Sequence, residues 1–192
     1  MPPKVMFTRE EIIAAALDAV REIGASGLTA RSLAAKLGCS PKPVFGLFKS
    51  MDEVQSGVLE AANALYEKRM EEELSAGRFP PYKCTGMAYI RFALEEKELF
   101  KLLFMRDRKG EDQRERGQAD KPVDIICAAT GLSRESAYLF HLEMWVFVHG
   151  IATMLATDYL KWDEDFIENS LTDCYMGLMQ RFRDKGKIDG NG

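Results

Sequence analysis

Few residues in this chain are of the kinds that carry catalysis, and their spacing argues against it. The two histidines, His141 and His149, stand eight positions apart, which is about 12 Å along a helix and too far to share a metal ion. No third ligand accompanies them. Glu143 near His141 offers an acid–base pair, but no nucleophile, phosphate loop or cofactor motif goes with it. No catalytic residue, metal or cofactor is therefore expected. The cysteines, Cys39, Cys84, Cys127 and Cys174, contain no Cys-x-x-Cys pair. They read as reduced, buried thiols, with redox sensing by one of them as the alternative.

A different chemistry is legible between residues 29 and 49. Thr29, Arg31, Ser40, Pro41, Lys42, Phe45 and Lys49 cluster hydroxyls, cations and one aromatic ring. Lysine can bond guanine O6 and N7 or a phosphate, and a phenyl ring can meet a thymine methyl or a sugar. Thr29 and Arg31, at the start of a helix, can hold phosphate through backbone N–H groups and charge. The net charge is −4, which alone argues against a polyanionic partner. Its distribution does not: residues 1–50 hold seven Lys and Arg against four acids, and the remainder holds 19 basic against 26 acidic residues. A mildly basic head on an acidic body concentrates attraction for polyanions at one end.

Helices must position these residues, because helical spacing is dense and strand patterns are nearly absent. Thr8-x-x-Glu11 is a capping box, followed by Ile12, Ala16, Leu17, Val20 and Ile23 at helical spacing and a stop at Gly24. Thr29 caps a second helix over residues 29–37, which Gly38 ends. Ser40 is expected to cap a third over residues 41–48, with Pro41 and Pro43 in its first turn and Val44, Leu47 and Phe48 on its apolar side. Two short helices with Gly38 at the turn and Ala34 at the crossing make a helix-turn-helix pattern, whose second helix enters the major groove by its N-terminal part. A long helix over 52–74 follows, then a break at residues 77–81 and two helical pieces within 87–105. Residues 106–121 read as a charge-rich mobile loop. A short helix starts at Pro122, a long apolar one runs from its Ser133 cap to about Thr157, and a last one begins near Asp163, with Arg181, Arg183 and Lys185 toward its end. The expected fold class is all-α with about nine helices. Residues 1–50 form a three-helix helix-turn-helix DNA-binding domain, and residues 51–192 a helical effector-binding and dimerisation domain.

The segment from Phe7 to Leu59 resembles the N-terminal domain of the TetR family of transcriptional regulators. Its landmarks are Ile12–Ala16–Val20, Gly24 and Gly27, Leu28-Thr29, Leu33-Ala34, Gly38-Cys39-Ser40, Val44-Phe45, Phe48 and Ser50-x-Asp52-Glu53. Trp145 with His149-Gly150 resembles the Trp…His-Gly class of C-terminal domains in that family. Two positions depart from the pattern. Many members have tyrosine where Phe45 stands and lysine where Met51 stands, both facing phosphate, which leaves affinity to Lys42, Lys49 and Arg31. The resemblance implies a cytoplasmic repressor that binds a palindromic DNA operator as a homodimer and is released by a small-molecule effector.

The C-terminal part supplies candidates for both further roles. Tyr89, Phe92, Phe104, Trp145 and His149 lie on segments expected to face one another, an aromatic wall suited to a small, largely apolar effector. Trp145 and His149 also fit a plain core role. Excess apolar surface on the last two helices points to a two-fold interface with Phe147, Ile151, Leu155, Leu171, Tyr175, Leu178 and Phe182 as its residues. The longest uncharged stretch, Met144 to Thr157, is about fourteen residues, short of the ~20 a bilayer span needs. With no apolar leader in Met-Pro-Pro-Lys, a cytoplasmic location and no membrane partner are expected. A helical adaptor that binds only protein is the competing function.

Overall fold

Local signals account for most helix ends in the computed structural model, which describes residues 7–107, 109 and 120–189, with side chains through residue 184. Helix α1 (Arg9–Ile23) starts where Thr8 and Glu11 close both bonds of the capping box, the Thr8 hydroxyl accepting from the Glu11 N–H at 3.1 Å and the Glu11 carboxylate from the Thr8 N–H at 2.8 Å. A 3-10 turn (Ala25–Gly27) leads to α2 (Ala30–Lys36) and α3 (Lys42–Phe45). Then come α4 (Met51–Ala76), α5 (Pro81–Glu95), α6 (Lys97–Phe104), α7 (Asp120–Thr130), α8 (Arg134–Ala156) and α9 (Glu164–Asp189). Among the described residues the architecture is all-α, with nine helices.

Three boundaries differ from the sequence-based expectation. The third helix is only Lys42–Phe45, one turn, and residues 46–50 continue as turn and bend. Ser40 does not cap it: Pro41 takes the cap position, and no side chain bonds the first turn. With Pro41 and Pro43 supplying no N–H there, little remains for a side-chain cap to satisfy. Helix α5 begins at Pro81, six residues before the expected start, because Pro is well placed at a first helical position. Helix α9 runs on to Asp189, past the Arg181–Lys185 segment. The expected charged loop over 106–121 falls largely outside the described residues, as does the side chain of Lys185.

Two compact units make up the chain: Met1–Lys68 with Glu95–Arg106, and Arg69–Leu94 with Asp107–Gly192. The first extends beyond the 1–50 segment because α6 packs on α1 and the N-terminal half of α4 packs there too. At Gly57 an added Cβ would sit 2.5 Å from Ile13 Cδ1, so glycine lets α4 lie close against α1. Arg21 on α1 clasps Glu96 with two 2.8 Å bonds at the start of α6, and also bonds Asp18 at 2.7 Å.

The second unit is built on a cluster of Val123, Ile126, Ala137, Phe140, Met144 and Met179, with Tyr82, Tyr175, Leu178 and Phe182 packed against it. Phe140 is fully buried and meets Tyr82, Tyr175 and Phe182 at ring-centroid distances of 6.1, 5.3 and 5.5 Å. Glu73, the buried carboxylate of this unit, is held by Arg78 at 3.0 Å and by Arg91, which also pairs with Glu164. By length and composition α8 could cross a bilayer, its most apolar window having a mean hydropathy of 1.4. Ala137, Phe140 and Met144 on α8 pack into the core cluster and its Glu143 pairs with Arg181 of α9, while 39% of that apolar window is buried. Phe140→Ala should lower the unfolding free energy by about 3–5 kcal/mol, from lost burial plus the cavity left behind. Urea denaturation checks this; a loss under ~1 kcal/mol would contradict the central placement of Phe140.

Candidate nucleic-acid interface

A cap and a glycine set the joint between α2 and α3. Thr29 Oγ1 accepts from the Ser32 N–H at 3.1 Å, and Ser32 Oγ accepts from the Thr29 N–H at 2.8 Å while donating to the Gly27 carbonyl at 2.8 Å. At the other end Gly38 takes φ +64°, a conformation a side chain would strain, and the Cys39 N–H reaches back to the Ala34 carbonyl at 3.0 Å. Leu33, Ala34, Val44 and Phe48 are buried beneath this joint. Thr29, Arg31, Ser40, Pro41, Lys42, Phe45 and Lys49 are all exposed. The seven residues singled out from sequence therefore share the surface of one unit, with three cationic side chains among them and Phe45 standing 46% exposed.

Arg9 and Glu53 were missed by sequence reasoning. The Arg9 guanidinium donates to the Leu47 carbonyl and to Glu53 at 2.7 Å, and lies 4.1 Å over the Phe48 ring. Glu53 also accepts the Lys49 N–H at 2.7 Å, and Ser50 Oγ accepts the Glu53 N–H at 3.3 Å. The Lys49 N–H first, then Arg9, hold the Glu53 carboxyl below the usual carboxylate range. Ser50-x-x-Glu53 is a capping-box spacing and could have flagged this node; nothing local in sequence points to Arg9.

In the second unit two tyrosine–histidine pairs link α5 to α8. Tyr89 and His149 Nδ1 lie 2.8 Å apart, and Tyr82 and His141 Nδ1 lie 3.0 Å apart. With each phenol donating, the imidazoles are neutral and carry their own proton on Nε2. Trp145, 41% exposed, stacks on His149 at 5.0 Å. Tyr89, Trp145 and His149 thus come together as expected of an aromatic wall, and Phe92 is buried on the same helix as Tyr89. Phe104 belongs to the first unit, where it meets Tyr66 and Phe100, each at 5.2 Å. Glu143 serves Arg181, and His141 has Tyr82, so the imagined acid–base pair is not built. Among the described residues no group of three could hold a metal ion. All four cysteines are free, and burial pushes the Cys174 thiol up.

Burial redistributes the expected interface residues. Ile151, Leu155 and Leu171 are buried in their own subunit, and Tyr175, Leu178 and Phe182 pack on its core cluster, so none of these six is a free surface group. Phe147 alone of that set is exposed. Three of the seven residues are thus buried within the chain and three more are partly covered by its core cluster. Other apolar residues facing out on α8 and α9 include Tyr138, Leu139, Leu142, Val146 (66% exposed), Phe166 and Met176.

Residues 84–173, just under half of the chain, match the family model described as the tetracyclin repressor-like C-terminal domain. No curated protein matches the chain by sequence. Solved structures similar to it include a TetR-family member (SCO1917) from Streptomyces coelicolor A3, 18% identical, covering 86% of this chain and 96% of the other with a TM-score of 0.58. A TetR variant from Acinetobacter baumannii AYE in complex with minocycline is 17% identical over 93% of this chain and 97% of its own, with a TM-score of 0.59. The multidrug binding protein EbrR complexed with imidazole is 18% identical over 86% and 93%, at 0.58. At these identities the likeness shows the fold, which is TetR-like.

His141 gives the second unit a defined response to pH. Burial lowers its pKa to about 4 from an ordinary value near 6.5. The unfolded chain then takes up the proton first, so the neutral pair's contribution is complete above about pH 6.5 and is lost as pH falls toward 4. Stability should decline over that window by at most about 1.4 kcal/mol per pH unit from this group. His141→Gln should flatten the decline between pH 6.5 and 5 in denaturant titrations; an unchanged slope would remove His141 as its source.

Proposed function

We propose that this chain, with its TetR-like fold and tetracyclin repressor-like C-terminal domain, is a TetR-family transcriptional repressor, acting in the cytoplasm and reading a palindromic DNA operator as a homodimer. The observation that carries the reading is the α2–turn–α3 unit. It buries Leu33, Ala34, Val44 and Phe48 and offers Lys42 and Phe45 from the short second helix, Ser40 and Pro41 from the turn before it, with Thr29, Arg31 and Lys49 flanking. That division suits base edges at the centre and phosphates at the rim. The missing hydroxyl at Phe45 and the missing ammonium at Met51 leave phosphate attraction to Arg31, Lys42 and Lys49. Lys42→Ala should weaken binding of a selected operator duplex by about 1–3 kcal/mol and relax its sequence preference. Lys49→Ala should lower affinity for all duplexes alike and reduce the slope of log affinity against log salt by about 0.9. Fluorescence anisotropy over a salt series separates the two; wild-type behaviour from both variants would refute the assignment.

The two-fold partner surface in this reading is the outward side of α8 and α9. Leu139, Val146 and Gly150 follow one another at helical spacing on α8, and Met176 and Gly177 face out on α9. An added Cβ at Gly150 or Gly177 would meet nothing within 4 Å in the subunit. The close approach that glycine permits is therefore available to a symmetry mate.

The effector in this reading is small and largely apolar, and it meets Tyr89, Trp145 and His149. Support comes from that cluster and from the minocycline and imidazole held by two similarly folded proteins. Release from DNA requires that the effector prefer the DNA-incompetent state, since equal affinity for both states shifts nothing. A coupling of ~1–3 kcal/mol lowers operator affinity by roughly 5- to 150-fold, and operator must weaken effector binding by the same factor. Calorimetry with a drug that binds, performed with and without operator duplex, should show that reciprocity. Equal affinities in the two conditions would leave a constitutive DNA-binding protein.

A further inference from the structure

A helix of one turn cannot fix its own direction, and α3 has only Lys42–Phe45. Its entry is held by the Gly38 turn, and Val44 anchors its underside. Its exit is the stretch Leu47, Phe48, Lys49, and each of those three residues is gripped by Arg9 or by Glu53. Arg9 takes the carbonyl of Leu47 and the ring face of Phe48, and Glu53 takes the N–H of Lys49. The two grips are joined by the 2.7 Å Arg9–Glu53 bond. The start of α1, the exit of α3 and the first turn of α4 thus meet at one guanidinium.

We infer that Arg9 is a positioning residue for DNA reading, one that aims α3 by locking residues 47–49 against α1 and α4. The inference rests on the proposed DNA-reading role of α2 and α3. As an ion pair the contact is weak, because the side chains of Arg9 and Glu53 are 48% and 34% exposed and water screens them. Its worth is geometric. A planar fork satisfies two acceptors and a ring face at once, which a lysine ammonium cannot reproduce. Two of its five N–H donors are engaged within the unit, by the Leu47 carbonyl and Glu53, and through them Arg9 acts on the backbone of the reading segment.

The test uses the full chain and two probes: a duplex enriched from a random-sequence pool by the wild-type protein, and poly(dI-dC). Arg9→Met keeps the apolar stem over Phe48 and removes the guanidinium. It should lose about 10- to 100-fold in affinity for the enriched duplex, the scale of bonds to a charged donor. Affinity for poly(dI-dC) and the salt slope should stay as in wild type, and Arg9→Lys should recover part of the loss. If Arg9 were a phosphate ligand, both probes would weaken together and the slope would fall by about 0.9, which overturns the inference. Undiminished affinity for the enriched duplex in Arg9→Met overturns it equally. Thermal unfolding run alongside guards against collapse of the unit; should Arg9→Met unfold, Arg9→Lys and Glu53→Gln carry the same comparison, with selective loss supporting and uniform loss overturning. A wild-type protein that enriches no duplex defeats the DNA-reading function itself, and that failure is visible before any variant is made.

Discussion

A single turn of helix is unstable in water, because nucleation costs more than one or two hydrogen bonds return. That constraint organises the first unit. Helix α3 persists only because its neighbours fix it: the Gly38 turn at one end, Val44 and Phe48 driven into the core below, and Arg9 with Glu53 at the exit. Without those supports a single turn would not hold its direction. The rest of the unit is arranged around them, with Gly57 bringing α4 against α1 and the Arg21–Glu96 clasp seating the start of α6 there.

The second unit answers a different demand, that of polar groups inside an aromatic core. Two phenol–imidazole pairs and one carboxylate held by two arginines satisfy polar groups that would otherwise cost about 1–3 kcal/mol each. The pairs also order the side chains around them. His149 has Tyr89 on one nitrogen and Trp145 stacked on its face. Burial lowers the pKa of both histidines, so this arrangement stays neutral at ordinary pH.

Local chemistry was legible in the sequence wherever local chemistry decided the outcome. The Thr8–Glu11 and Thr29 caps, the Gly24 and Gly38 stops and the all-α class follow from residues within a few positions of one another. The exposed residues on and beside α2 and α3 are legible because helical spacing separates Val44 from Lys42 and Phe45. What periodicity cannot supply is which apolar face meets which partner. Ile151, Leu155 and Leu171 looked available for an interface because a helix carrying more apolar residues than one face needs can bury the surplus inside or outside its subunit. The length of α3 was overestimated because Leu47 and Phe48 keep helical spacing after the helix has ended; both still bond the Val44 carbonyl, in turns. The Arg9 node spans about forty residues of sequence, and only folding brings its parts together.

The central claim is that two copies of this chain read a two-fold symmetric DNA site through α3. Selection of duplexes from a random pool by this 192-residue chain, followed by sedimentation of the enriched complex, tests it in one measurement. The account predicts a sequence with dyad symmetry, half-site centres about 34 Å apart along the helix, and two chains per duplex. An enriched pool without symmetry, or one chain per duplex at saturation, would contradict it.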